Sequence, residues 1–362
     1  MKLLRRTGWI GVDIGTRTVK LAQVVRYGDR ARLLNGIVLQ RSHPWSDQDD
    51  VALAAPVSSY REIFAALHAN TRFSGRNVAC VLPMNAYQLR SMTLPSGTAS
   101  ERRAMVAEEL ASEWADKAQE MTFDYWELDS SSDGSEPSGA NVAALATTKQ
   151  WISQVVSDCD HARLDCWAVD GVPLAMARAV SLVANLGPGA RVLALDWGFS
   201  NTTLSVVGDR RSLLSRRLRD CSLRQLLEHV RSTLGVSLEQ AQYVVDRFGV
   251  VKPGEVAAAD HEIQSAVTEA AAATLEGLAD EIRRTLRYLE IQRQKMRPSA
   301  LWILGGGASI RNLAEYLEPA IGLPVRIWEI AQEKDTSEAR PRFHSALLSN
   351  AVALSAMPWR AA

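Results

Sequence analysis

Apolar positions along this chain fall into two periods. Short alternating or wholly apolar runs predict strands, and longer stretches with apolar residues three and four apart predict helices. Ile10–Val25 (IGVDIGTRTVKLAQVV) reads as a strand, a polar turn with Asp13 and Gly15 at its lip, and a second strand; a break at Tyr27–Arg30 then leads to a third run, Leu33–Leu39. Ser42–Pro56 is polar and contains proline, and Ser59–Asn70 places Tyr60, Ile63, Phe64 and Leu67 on one helical face. Asn77–Pro83 and Tyr87–Leu94 predict strands, Ser100–Glu120 a helix with Ser100 as its N-cap, and Phe123–Leu128 an aromatic strand. Ser130–Gly139 (SSSDGSEPSG) has the composition of a solvated loop. A strand at Asn141–Thr147, a helix from about Thr148 to Ala162, a short strand at Cys166–Val169 and a helix over Asp170–Asn185 follow, with Leu186–Gly189 as a hinge.

The second half starts the pattern again. Leu193–Val207 (LALDWGFSNTTLSVV) aligns with the first hairpin at a shift of 183 residues: Asp196 falls on Asp13, Gly198 on Gly15, Leu204 on Leu21 and Val207 on Val24. A short break and the run Leu213–Leu218 follow, as after the first copy. Repeats decide architecture, and two related units this far apart predict two homologous lobes facing each other across a cleft. Helices are then expected at Ser222–Leu234, with a Ser222–Gln225 capping box and Gly235 closing it, and from Ser237 (with Gln240) to Gly249. A long helix over about Ile263–Met296, a strand at Ala300–Leu304, a helix at Asn312–Ile321, a strand at Val325–Trp328 and a last helix to about Met357 complete the chain.

The duplicated tips have the chemistry of a phosphate clamp. Glycine lets backbone N–H groups approach a phosphate that a Cβ would hold off. Thr16 and Thr18 add hydroxyl donors, Arg17 and Lys20 neutralise phosphate charge, and Asp13 can hold the water shell of a Mg²⁺. A plain hairpin explains either copy alone; the doubling is what favours the clamp. The run Gly305-Gly306-Gly307 after an apolar strand suits a flat ligand surface for adenine and ribose, although a strand–helix turn needing positive φ reads the same way. It matches neither a Walker A motif nor G-x-G-x-x-G.

Composition narrows the classes. A length of 362 residues fits two to four domains, and 47% hydrophobic with 23% charged residues is ordinary for a globular protein. Lys+Arg and Asp+Glu balance at 41 each, which argues for neither nucleic acid nor an anionic membrane surface. The four cysteines form no C-x-x-C pair and read as reduced core residues, not metal ligands, and the six histidines show no metal spacing. No run of about 18 uncharged apolar residues occurs, and the basic start is followed by too short an apolar stretch for a signal peptide. The expectation is a cytoplasmic protein without direct membrane insertion.

Two D-x-G hairpins and a late glycine run resemble the actin-like ATPase (ribonuclease H-like) superfamily of actin, hexokinase and FtsA, an α/β fold of two lobes. More narrowly, nearly the whole chain resembles the PilM family of type IV pilus assembly proteins. GVDIGTRTVKLAQV, VACVLP, QLRSMTLP, FDYWEL, AVDGVPLAMARAV, LDWGFSNTTLSVV, LGVSLEQAQYV, EIRRTLRYL and ILGGGASIRNLAEYLEPAIGLPV carry that resemblance. It implies a first-lobe core (1A) at 1–87, an inserted 1C-type subdomain at 88–167 and a return helix with hinge at 168–189. A second-lobe core (2A) would follow at 190–220, a helical 2B subdomain at 221–297 and the rest of 2A with the C-terminal helix at 298–362. It further implies ATP and Mg²⁺ between the lobes. Asp13, Gly15, Thr16, Arg17, Thr18 and Lys20 match the first phosphate loop, Asp196, Gly198, Ser200, Asn201 and Thr202 the second, and Gly305, Gly306 and Gly307 the adenosine loop. Asp13 and Asp196 would serve the metal, and Glu281 and Arg284 lie where relatives contact sugar or base, though a solvated helix face explains those two as well.

The implied partner is the short cytoplasmic tail of a PilN-like inner-membrane protein, held between 1A and 1C, and Asn77–Pro83 and Tyr87–Leu94 read as edge-type strands suited to pairing with an extended peptide. Through that tail the chain would sit at the cytoplasmic face of the inner membrane and link the pilus platform to its motors; nucleic acid is not an implied partner, and self-association is open. Trp197 and Phe199 around Gly198, and Asp220-Cys221 where relatives have a glycine pair, depart from the family at the second phosphate loop. No water-orienting residue stands out, Glu108, Glu109 and Glu113 having ordinary solvated spacing, so nucleotide binding with at most slow ATPase activity is expected. A sugar or small-metabolite kinase, or a degenerate adaptor without nucleotide, remain the alternatives. A GspL-like secretion component would carry a membrane span, which the sequence lacks.

Overall fold

A computed structural model describes residues 5–41, 58–69, 72–128, 140–252, 261–293, 296–333 and 344–359. The loops expected at Ser42–Pro56 and Ser130–Gly139 lie outside the described residues.

The first lobe is built on a sheet of β1 (Arg5–Thr7), β2 (Ile10–Ile14), β3 (Thr18–Tyr27), β4 (Arg30–Gln40), β5 (Asn77–Leu82) and, after an insert, β9 (Asp165–Gly171). The hairpin β2–β3 is antiparallel, β4 pairs along β3, and β5 and β9 add parallel to β2. Asn77–Leu82 therefore lies between two neighbours, which overturns its expected role as an edge for an incoming peptide. The insert is a second sheet in the order β6 (Tyr87–Leu94), β8 (Ala140–Thr148), β7 (Met121–Glu127), with helix α2 (Ala99–Trp114) against it. Helices α1 (Tyr60–Ala69) and α3 (Lys149–His161) cover one face of the first-lobe sheet, where Ile63, Trp151, Val155 and Cys159 meet Ile10, Val12 and Leu21.

The second lobe repeats the plan. Its sheet runs β12 (Arg211–Leu218), β11 (Thr202–Gly208), β10 (Arg191–Trp197), β13 (Leu301–Leu304), β14 (Val325–Ile327). Three antiparallel strands are again followed by two parallel ones. Asp13 pairs with Lys20 and Ile14 with Val19; 183 residues on, Asp196 pairs with Thr203 and Trp197 with Thr202. Both turns close by one hydrogen bond of 2.9 Å, Gly15 N–H to the Thr18 carbonyl and Gly198 N–H to the Asn201 carbonyl. The repeat thus extends to register and turn geometry, because alternation fixes which face each side chain takes. Helices α4 (Val172–Val183) and α9 (Ser349–Ser355) pack on each other; α9, last in the chain, returns to β2, β3 and β5 of the first lobe.

Helices α5 (Leu223–Leu234), α6 (Leu238–Phe248), α7 (His261–Gln292) and α8 (Leu313–Ile321) pack on one another, with α8 also against β14, and their buried residues share one core with the second sheet. Both expected capping boxes form: Ser222 and Ser237 accept from the backbone of Gln225 and Gln240, whose side chains reach back. Ser100 is not a cap. Helix α2 begins one residue earlier, with Thr98 accepting from Glu101 N–H at 3.3 Å and Glu101 accepting from Thr98 N–H at 2.7 Å. Two hydroxyl residues two apart fit the cap pattern, and only Thr98 has an acid three residues on. The glycine run opens a 3₁₀ turn, Gly306–Ser309, that leads into the expected helix α8.

Candidate functional site

The two hairpin tips meet across a cavity of about 540 Å³ between the lobes. Asp13, Gly15, Thr16, Arg17, Thr18 and Lys20 line it from one side; Asp196, Gly198, Ser200, Asn201 and Gly306 line it from the other. β2 and β10 bring the two aspartates in from equivalent positions at their carboxyl ends. One lysine serves both: Lys20 Nζ lies 3.0 Å from Asp13 Oδ2. Burial alone lowers the Lys20 ammonium, but the charges of Asp13 and Asp196 and the hydrogen bond to Asp13 outweigh it and hold the group above its ordinary value. Burial pushes the Asp196 carboxyl up, and Asp13 adds to that against Lys20 and a 2.9 Å hydrogen bond donated by Asn350 Nδ2. The cavity floor is therefore anionic, buried and only partly neutralised, as a cation site needs.

Direct contacts join the tips. Thr16 Oγ1 donates to Ser200 Oγ at 3.1 Å, and the Arg17 guanidinium stands 4.6 Å from the centre of the Phe199 ring. Phe199 thus faces the cleft. Trp197 does not: it is fully buried, and its indole N–H donates to the Cys221 carbonyl at 2.7 Å. Thr202 donates to that same carbonyl at 3.0 Å and is fully buried, a structural anchor off the cavity wall. Asp220 takes a left-handed φ of 56°, the conformation for which a glycine is the usual choice, and accepts from Gln225 Nε2 at 3.2 Å.

The glycine run splits in role. Only Gly306 lines the cavity. Gly305 has φ 78°, and a Cβ there would lie 2.3 Å from Asp196 Oδ1; one on Gly307 would lie 2.3 Å from the Trp197 ring. These two glycines admit Asp196 and Trp197 and offer no surface to the cavity. Glu281 and Arg284 do not line it either. Glu281 pairs with Arg216 of β12 and with Arg284 along the helix, so both are engaged in an ion-pair cluster on the second lobe.

Residues that the sequence did not mark complete the wall: Gln242 and Asp246 from α6, Ser309, His344 and Asn350. Burial raises the Asp246 carboxyl, partly offset by the Gln242 amide. Asn201 Oδ1, His344 Nδ1 and Asn350 Oδ1 are buried with no hydrogen-bond partner among the described residues. Orphaned polar atoms gathered on one cavity are the signature of a site that a polar ligand completes. Asn350 carries no sequence signal, because only the return of α9 across the lobes brings it to Asp196.

Paired sheets of one topology, with aspartate hairpins facing across a central cavity, define the actin-like ATPase fold. A solved PilM-PilN type IV pilus biogenesis complex superposes with a TM-score of 0.73 at 22% identity, over 98% of this chain and 99% of that one. The ethanolamine utilization protein EutJ from Carboxydothermus hydrogenoformans superposes with 0.54 at 13% identity, over 98% and 91%. The model of the type IV pilus assembly protein PilM family matches residues 11–355, and the chain belongs to that family. No curated protein matches it.

Proposed function

We propose that this chain is a nucleotide-binding scaffold of type IV pilus assembly, taking ATP with Mg²⁺ in the inter-lobe cavity and gripping the cytoplasmic tail of a PilN-like membrane protein. The observation carrying the nucleotide reading is the pair of hairpins in one register, whose aspartates share Lys20 over a cavity with orphaned polar atoms. Asp13 and Asp196 would hold the hydrated metal, and Gly15, Thr16, Thr18, Gly198, Ser200 and Asn201 the phosphates, with Arg17 and Lys20 offsetting charge. Gly306 would meet the base side. Bound Mg²⁺ supplies charge neutralisation at the phosphates. For a ligand to seat, the Thr16–Ser200 and Arg17–Phe199 contacts must yield, so occupancy and lobe closure are coupled.

A second cavity, of about 960 Å³, supports the tail-binding reading. The first lobe (Arg26, Leu174), the insert (Tyr125, Trp126) and the second lobe (Asp209, Arg211) all line it. Trp126 Nε1 donates to the Ser212 carbonyl at 2.9 Å, tying the insert to the start of β12 in the second lobe. Movement of one lobe against the other changes the shape of this groove, which is the physical route for nucleotide to alter grip on a peptide. Among the described residues no helix is long and apolar enough to cross a membrane; attachment to the inner membrane would come through the bound tail.

Calorimetric titration with ATP and ADP in Mg²⁺, followed by a PilN-type tail peptide, tests this. Expected are micromolar nucleotide affinity, negligible turnover and a peptide affinity that changes with nucleotide. Absence of nucleotide binding with intact peptide binding would leave a structural adaptor held shut by its cross-cleft contacts.

A further inference from the structure

Three of the four cysteines come together although no two share a motif. Cys80 lies on the inner strand β5, Cys159 on α3 and Cys166 on the outer strand β9, and their sulfurs all lie within 4.8 Å of one another. Cys80 and Cys159 are fully buried with sulfurs 3.6 Å apart, and Cys166 is half-buried. Sequence spacing reads the cysteines as reduced core residues and not as metal ligands; these three are free and at least half-buried, and the fold adds that they meet. A metal with sulfur ligands at about 2.3 Å places those sulfurs roughly 4 Å apart in a trigonal plane, which this triangle accommodates.

We propose that Cys80, Cys159 and Cys166 form a three-sulfur site for a soft, thiophilic cation, Cu(I) in preference to Zn(II). Thiolate ligands select soft metals, whereas structural zinc takes four protein ligands. A fourth is lacking here: no His, Asp or Glu joins the group among the described residues. The adjacent Asp158 is committed, with Oδ1 accepting from Ser58 and Gln154 at 2.8 Å each and Oδ2 from Ser59 N–H at 2.6 Å. The surrounding side chains (Ile10, Val12, Val78, Ala162 and Leu164) are apolar, and the Ala168 carbonyl oxygen stays 3.8 Å from the Cys166 sulfur.

Access comes from the sheet edge. β9 is the outermost strand, and an extra residue interrupts its pairing: Val78 pairs with Cys166 and Ala79 with Ala168, leaving Trp167 out, 64% exposed. A bulge of this kind re-aims a side chain at a strand edge. It leaves Cys166 as the sulfur nearest solvent, with Cys80 and Cys159 behind it.

The full chain, kept reduced without air or added thiol, is titrated with Cu(I) against a chromophoric Cu(I) chelator and separately with Zn(II). One Cu(I) per chain is expected, with all three thiols protected from alkylation. Cys159→Ser should weaken binding more than about 100-fold, beyond what loss of an outer-shell partner costs. Cys166→Ser, which leaves the buried pair in place, should weaken binding while thermal melting of the metal-free chain stays unchanged, separating ligation from folding. Unchanged Cu(I) affinity in both variants, failure to bind one equivalent, or tighter retention of Zn(II) would overturn the assignment.

Discussion

The two hairpin tips are copies in backbone and opposites in chemistry. Each has an Asp two residues before a Gly, the same strand register and the same closing hydrogen bond. In the first, the residue paired with the aspartate is Lys20; in the second it is Thr203. The first tip therefore carries its own cation, while Asp196 is served by the far end of Lys20's field and by the neutral Asn350 amide. The second tip is instead the better anchored: Trp197, Thr202 and the Cys221 carbonyl lock it from below, and Gly305 and Gly307 close over it. A duplicated frame can thus divide charge and rigidity between its halves, since register is set by alternation while charge is set residue by residue.

The largest way to break the comparison is at the anchored tip. Gly305→Val adds a side chain at φ 78° against Asp196 and should cost about 3 kcal/mol or more of stability, read by denaturant unfolding. Gly306→Ala next to it, where the nearest atom is 3.3 Å away on the flexible Leu223 side chain, should fold nearly as well as the parent. At the charged tip the effect moves from folding to binding. Asp13→Ala should weaken Mg–nucleotide binding by at least about 30-fold, as loss of one partner of a buried charge pair does, while the melting temperature falls only modestly; calorimetry reads both.

Asp196→Asn tests the electrostatic asymmetry by pH. The carboxyl is held above its ordinary value in the fold, so ionising it there opposes folding, and that opposition fades as pH falls through the raised value. The variant should be at least as stable as the parent at pH 7, with the difference vanishing below about pH 4; a parent that is more stable at pH 7 would refute the raised value. The smallest effect is expected for Phe199→Ala. It removes the Arg17 contact, about 0.5–1 kcal/mol, and should tighten nucleotide binding by at most about fivefold because less must be broken to open the cleft. Weaker binding would mean that Phe199 serves the ligand.

Much of this was legible because it is local. The D-x-G repeat at a shift of 183, both capping boxes and most strands depend on neighbours in sequence, and so did the family resemblance that residues 11–355 confirm. Where reading failed, a neighbour from elsewhere decided. Asn77–Leu82 looks like any apolar strand, and its interior place follows from β9 arriving after the insert. Glu281 and Arg284 gave no hint that Arg216 would occupy them.

By itself, then, the sequence determined the two hairpins, their aspartates and glycines, and the order of elements, since periodicity and turn chemistry act over a few residues. The tertiary structure alone decided that Lys20 would stand between two carboxylates, that Gly305 would make room for Asp196 and Gly307 for Trp197, that Asn350 would cross from the last helix into the cavity, and that three distant cysteines would meet. Each of those depends on which faces pack together, and close packing is settled by the whole chain at once.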